Sequence, residues 1–507
     1  MANSIKRLAG QTAIYGLSSI VGRLLNYLLV PVYTNYFLTH EFGVIAEMYS
    51  YVAILIVILT HGMETAFFRF AQQEQNRKET IFSTAMLSVL LLSAVFIIFT
   101  ITFRQDISQM MRYPEHPEYI WWFALIIGLD AFSAIPFARL RAENRPLLFA
   151  ALKLTGIGIN ITLVLFFVIA SPFLMEANYP LLTPFVRSFY NPEMGVGYVF
   201  IANLAASSFT AILLVPVTIR QKIHFSTELW RKMILYALPL LIAGLAGIIN
   251  EALDKILLKY LLPEDIAMSQ VGIYGACYRV SVLMILFIQA FRFAAEPFFF
   301  AEYKNSQSKE IYARVMNVFV ITCLFIFMGI MMYMDIIQYF IGKDFREGLD
   351  VVPILLMAHI FLGIYFNLSI WYKLTGQTHY GAIIAIAGAS ITVLINVWLI
   401  PVIGYYASAW AHLACYFSMV VISWYWGKKH FPVPYNIKKI FLMMVSALAL
   451  FFIHSQIPIF YRPVNWVISA FFLAFFAISI WFIDVETRQT LRPFFEMLRK
   501  KISQKLQ

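Results

Sequence analysis

Three arginines, Arg23, Arg279 and Arg292, stand inside stretches that are otherwise apolar. A guanidinium at the centre of a bilayer-spanning helix costs about 2.5–3.5 kcal/mol on insertion scales. Each of these residues therefore needs a partner, a wet cavity or a ligand to offset that cost. Arginine is always charged, weakly hydrated and forked, so it suits bidentate contact with phosphate or carboxylate. Asn26 follows Arg23 by one helical turn in "LSSIVGRLLNYLLVPVY" and shares its face, where an amide can meet sugar hydroxyls. The indicated chemistry is recognition of an anionic, hydroxylated headgroup inside a membrane.

Further charges fall within or at the edges of apolar runs: Glu47, Glu64, Asp130, Lys153, Glu251, Asp254, Lys255 and Glu296. Of these, Glu64, Asp130, Asp254 and Glu296 are the candidates for ion coupling or for pairing with the arginines. The structural alternative is local pairing or snorkelling at helix ends, above all for Glu64, Asp254, Lys255 and Lys153. His61, His359, His412 and His454 could relay protons, but no partner is visible in the sequence and packing is the expected role. Cys277, Cys323 and Cys415 show no metal-ligand or redox spacing and are expected as small core residues. Asn367-Leu368-Ser369 matches a glycosylation sequon but lies in an apolar run. There is no phosphate loop, dinucleotide fingerprint or zinc-protease motif. No catalytic residue, cofactor or metal is expected.

The elements that must position these groups follow from composition. Of 507 residues, 61% are hydrophobic and 13% charged, too apolar for a soluble globular chain. Counting runs of about 20 residues, the length that spans the hydrocarbon as a helix, predicts fourteen spans. They lie near 10–34, 43–67, 80–102, 119–138, 147–170, 195–218, 232–254, 271–298, 312–334, 350–372, 380–400, 404–426, 438–455 and 464–484. The runs lack the alternation of a membrane barrel, so the predicted class is all-α and polytopic. The first run is longer than a signal-peptide core and is expected to stay as a helix.

With a cytoplasmic N-terminus, 26 basic residues fall on the cytoplasmic side and 8 outside, which agrees with the positive-inside rule and a cytoplasmic C-terminus. The net charge of +11 is thus mostly topological, and no nucleic-acid role is expected. The longest external loop, 171–195, has scarcely room for a catalytic domain. The basic tail after Asp484 reads as a membrane-surface helix. Pro31, Pro136, Pro239 and Pro297 are expected to interrupt or end helices.

An internal repeat is visible. "AIYGLSSI" from Ala13 sets against "ILYALPLL" from Ile234, and "YFLTHEFGVI" from Tyr36 against "YLLPEDIAMSQVGIY" from Tyr260 with an insertion of about five residues. In both copies the next span ends in a charged cluster, Glu64 with Arg69 and Arg292 with Glu296. The expected organisation is two pseudo-symmetric six-helix bundles, residues 1–225 and 226–430, followed by an extra helix pair and tail, 431–507. Transporters built from such repeats hold substrate at the repeat interface.

"GQTAIYGLSSIVGRLLNYLLVPVYTNYFLTHEFGVIAEMYSY" and "YALPLLIAGLAGIINEALDKILLKYLLPEDIAMSQVGIYGACYRV" resemble the openings of the two halves of the bacterial polysaccharide biosynthesis proteins. These are oligosaccharide-lipid flippases of the multidrug/oligosaccharidyl-lipid/polysaccharide exporter superfamily. The resemblance covers roughly residues 5 to 430. It implies a flippase moving an undecaprenyl-diphosphate-linked oligosaccharide across the bacterial inner membrane by alternating access, with Arg23, Arg279 and Arg292 lining a cationic cavity. The implied partners are the lipid-linked oligosaccharide, membrane lipids and other polysaccharide-assembly proteins of the membrane. A multidrug/cation antiporter, a lipid II flippase and a membrane polysaccharide polymerase are the alternatives.

Overall fold

The computed structural model describes residues 16, 20–74, 77–177, 179–180, 182–219, 224–303, 305–457 and 461–484. Among them the chain is helical throughout and has no strand. Thirteen helices are long and apolar enough to cross a membrane, and they coincide with the second to fourteenth expected runs. The first run lies largely outside the described residues, as does the tail expected as a surface helix. What is described of the first run is a helix over 20–27, a turn at Leu28 and Leu29, and a helix Val30–Tyr36 with Pro31 in its first turn.

In hydrocarbon every backbone N–H and C=O must be satisfied within the segment, which is why apolar runs of this length become helices. Short-range signals fix their ends. Proline opens Pro117–Ala142 and Pro146–Leu165, where its missing N–H is no loss. Ser226 Oγ accepts the N–H of Leu229 at 3.4 Å, and Glu41 Oε2 accepts that of Leu38 at 2.7 Å. Large apolar side chains such as Leu91, Trp398 and Phe482 stand 68–75% exposed on the flanks, as lipid-facing residues do.

Two expectations are corrected. The run near 43–67 forms two helices, Thr39–Thr60 and Met63–Gln73, separated by His61 and Gly62 at φ 33° and 72°. Gly62 suits this left-handed backbone, and His61 is held in it by its ring, with Nδ1 2.7 Å from the Leu59 carbonyl and Nε2 3.0 Å from Ser88 Oγ. Second, Pro136, Pro239 and Pro297 lie inside continuous helices, Pro117–Ala142, Thr227–Leu261 and Glu264–Glu302. Packed neighbours and local adjustment re-satisfy the freed backbone groups, so proline in a membrane helix need not end it. The 171–195 segment carries two short helices, Ser171–Ala177 and Leu182–Arg187.

The described residues form two compact units. One takes those within Met1–Arg279, Ile341–Leu349 and His379–Cys415; the other those within Val280–Phe340, Asp350–Thr378 and Tyr416–Gln507. In the first unit, helices Thr39–Thr60 and Glu264–Glu302 cross at two glycines. A Cβ on Gly43 would overlap the Met268 carbonyl, and one on Gly272 would overlap that of Thr39. Thr39 Oγ1 donates to Ser269 Oγ at 3.1 Å beside this crossing. The five-residue insertion read in the repeat is what aligns Gly43 with Gly272. In the second unit Ala295, Phe299, Tyr312 and Ile370 form a core cluster, and the Tyr312 hydroxyl donates to the Phe299 carbonyl at 2.7 Å.

Candidate anion-binding site

Glu64 sits in the first turn of Met63–Gln73, just past the left-handed break that re-aims this helix. Its carboxylate is ion-paired to Arg141, at the end of Pro117–Ala142. Arg141 also faces the rings of Phe68 at 5.1 Å and Phe149 at 5.8 Å, while its buried Nε has no acceptor. Lys153, from Pro146–Leu165, lies 5.5 Å over the Phe149 ring and within electrostatic reach of Arg141, Glu64 and Arg23. Arg141 and Lys153 thus both lie within electrostatic reach of Glu64. Arg23 and Asn26 are both exposed on 20–27. Glu64 takes Arg141, not Arg23, as its ion-pair partner.

The second unit contains a matching group. Glu296, inside Glu264–Glu302, is ion-paired to Lys373 of the short helix Ile370–Leu374. Arg292 Nε lies 3.9 Å from Glu296 Oε2, one turn earlier on the same helix, with its guanidinium 4.7 Å over the Phe366 ring. The Arg292 side chain remains 47% exposed. Arg292, Glu296 and Lys373 line one small cavity with Phe366 and Asn367. Asn367 is buried, with its amide donating to the Gly363 carbonyl at 3.0 Å, which is no place for a glycan. Two cations share one carboxylate in this group.

Arg279 occupies a third setting. It is solvent-accessible yet surrounded by Tyr27, Tyr33, Tyr49 and Tyr278. Asp130 is half-buried beside Ser207 and near Tyr49, so it belongs to this neighbourhood and not to either glutamate group.

Asp254 is 1% exposed and engages Lys255 Nζ and His412 Nε2, each at 3.0 Å. Lys255 also approaches the Tyr278 ring at 4.6 Å. His412, expected as mere packing, is thus one of the groups that Asp254 engages. Close by in the same unit, Thr392 Oγ1 donates to Asn250 Oδ1 at 3.0 Å, and Ser408 Oγ to Asn396 Oδ1 at 2.9 Å. A separate buried pair joins Glu47 to Lys259, whose Nζ also donates to the Met111 carbonyl at 2.6 Å and stands 3.6 Å over the Tyr113 ring.

Sequence reasoning missed Arg141, Lys373 and Lys259, because each lies near a span end and was counted as a topological loop charge. One signal was available. Glu64 precedes Arg141 by 77 residues, and Glu296 precedes Lys373 by 77 residues. Two carboxylate–cation separations of equal length are the sign that these were pairs and not loop charges.

Among the described residues, thirteen long apolar helices that carry charge clusters within or at the ends of their spans define a polytopic membrane protein. Solved structures agree. The chain is similar to "Lipid II flippase MurJ, inward closed conformation", with TM-score 0.69 and 14% identity over 92% of this chain and 98% of that one. It is also similar to a multidrug resistance MATE family transporter of the MOP superfamily in an inward-facing conformation, with TM-score 0.64 and 15% identity over 80% and 94% of the two chains. An outward-facing MATE structure gives TM-score 0.56 at 15% identity over 83% and 94%. The chain belongs to the polysaccharide biosynthesis protein family, whose sequence profile matches residues 8–301. A comparison with curated proteins returns no match.

Proposed function

We propose that this protein is a flippase that carries an undecaprenyl-diphosphate-linked oligosaccharide from the cytoplasmic to the periplasmic leaflet of a bacterial inner membrane by alternating access, with both termini cytoplasmic. The observation that supports it most is the surplus of cations over carboxylates in and at the ends of the spans: Arg141 and Lys153 about Glu64, and Arg292 with Lys373 about Glu296. Like charges gathered in a low dielectric repel unless an anion joins them. A diphosphate entering such a site exchanges hydration for guanidinium and ammonium contacts, while its polyprenyl tail stays in lipid. Arg279 within its tyrosines adds a further cation, and phenols are suitable surfaces for sugar rings and hydroxyls. In this reading Arg23, Arg279 and Arg292 bind the headgroup, Asn26 contacts sugar, and residues 1–225 and 226–430 are the two repeats.

The surplus of positive charge disfavours a multidrug/cation antiporter, whose lumen needs acidic or aromatic groups for cationic drugs. Short loops disfavour a polymerase. The deciding experiment is lipid analysis of a deletion strain. The expected result is a diphosphate-linked glycan accumulating on the cytoplasmic leaflet, with cell-wall synthesis intact. Arrest of cell-wall synthesis would reassign the substrate to lipid II, and unchanged lipid-linked glycans would overturn the flippase reading.

A further inference from the structure

The two glutamates stand where the proposed ligand's charge would stand. Each is partly exposed, 39% for the Glu64 side chain and 33% for Glu296, so neither is sealed into a structural core. Each carries one negative charge against at least two cations, and the group about Glu64 leaves a buried guanidinium nitrogen of Arg141 without an acceptor. A carboxylate offers two oxygens. A diphosphate offers more oxygens and more charge, and can engage the nitrogen that the glutamate leaves unsatisfied. The two ion pairs repeat with the same 77-residue separation, one in each compact unit. Both groups therefore hold a carboxylate as well as their cations, although a site that only bound anions would be stronger without it.

We infer that Glu64 and Glu296 are internal stand-ins for the phosphate oxyanion: each neutralises its cations while the site is empty, is displaced when the headgroup enters, and re-forms its ion pair to expel it. This rests on the reading of the clusters as headgroup sites, and it adds one site in each unit, with Arg141 and Lys373 as the respective principal anion ligands. Without the glutamates the sites would hold diphosphate too tightly to release it, since release must replace the ligand's contacts with others of similar strength. The glutamate supplies that replacement from within the protein.

The test uses the purified full chain in detergent, with inorganic pyrophosphate and undecaprenyl diphosphate as probes for calorimetric binding, and reconstituted vesicles for transport. Glu64→Gln and Glu296→Gln, which keep size and hydrogen bonding, are each expected to tighten binding of both probes by about tenfold, the loss of one competing ion pair at roughly 1.4 kcal/mol. They are also expected to slow transport. Arg141→Gln and Lys373→Gln are expected to weaken binding by a similar factor. Unchanged or weaker binding in both glutamate variants, with unaltered melting temperature, would overturn the stand-in role. If the wild-type protein binds neither probe, or Arg292→Gln leaves binding unchanged, the headgroup reading itself fails, and the stand-in role with it. Tightening for pyrophosphate alone would overturn the assignment to a lipid-borne headgroup.

Discussion

Lys259 Nζ lies 2.8 Å from Glu47 Oε2, with the two side chains 3% and 0% exposed, so a complete ion pair is enclosed where Thr39–Thr60 meets the end of Thr227–Leu261. The Tyr113 hydroxyl donates to the same Glu47 oxygen, and Arg112 donates to the Lys259 carbonyl at 3.2 Å. Breaking a buried pair from one side leaves an uncompensated charge, at about 3–5 kcal/mol. Lys259→Met alone should therefore lower the melting temperature of the detergent-solubilised protein markedly. The double variant Glu47→Leu, Lys259→Met should recover much of the loss. Equal destabilisation of single and double variants would show that the pair contributes shape rather than charge balance.

The glycine crossing is equally specific. Because Gly43 and Gly272 each rest on the other helix's backbone, a side chain at either has nowhere to go. Gly43→Leu or Gly272→Leu should abolish the folded, monodisperse peak in size-exclusion chromatography, whereas Gly247→Leu, at a position with open space around it, should not.

Arg23→Ala and Arg292→Ala should reduce surface glycan while leaving expression and membrane insertion near wild type, since both side chains are exposed and neither anchors packing. Normal glycan display in both would remove these residues from the transport path.

Topology gives an independent check. Reporter tags after Gln507 and near Asn76 should read as cytoplasmic and one near Asn191 as periplasmic. The reverse pattern would invert the orientation drawn from the distribution of Lys and Arg.

Fold class and span positions were legible because bilayer thickness and backbone satisfaction impose length and composition on every span, and no local detail can override them. The break at His61 was not legible, because it depends on Ser88 and Ala237 from other helices. For the site, the intramembrane position of Glu64, Arg292, Glu296 and Asp254 could be read from hydropathy, and Arg292 beside Glu296 from their spacing, but of the distant partners only an equal 77-residue separation gave any sign. Lys373, Arg141 and His412 come from helices 77 to 158 residues away. The positive-inside rule worked against the reading of Arg141 and Lys373, since it explains any basic residue near a span end without asking what it touches.

The crossing of Gly43 over Met268 and of Gly272 over Thr39 is reciprocal: each glycine meets the residue one helical turn before the other. That is the contact pattern of an isologous dimer, in which one patch is complementary to itself about a two-fold axis. Each helix is therefore ridge and socket at once at this crossing, and a side chain added at either glycine would displace both backbones together.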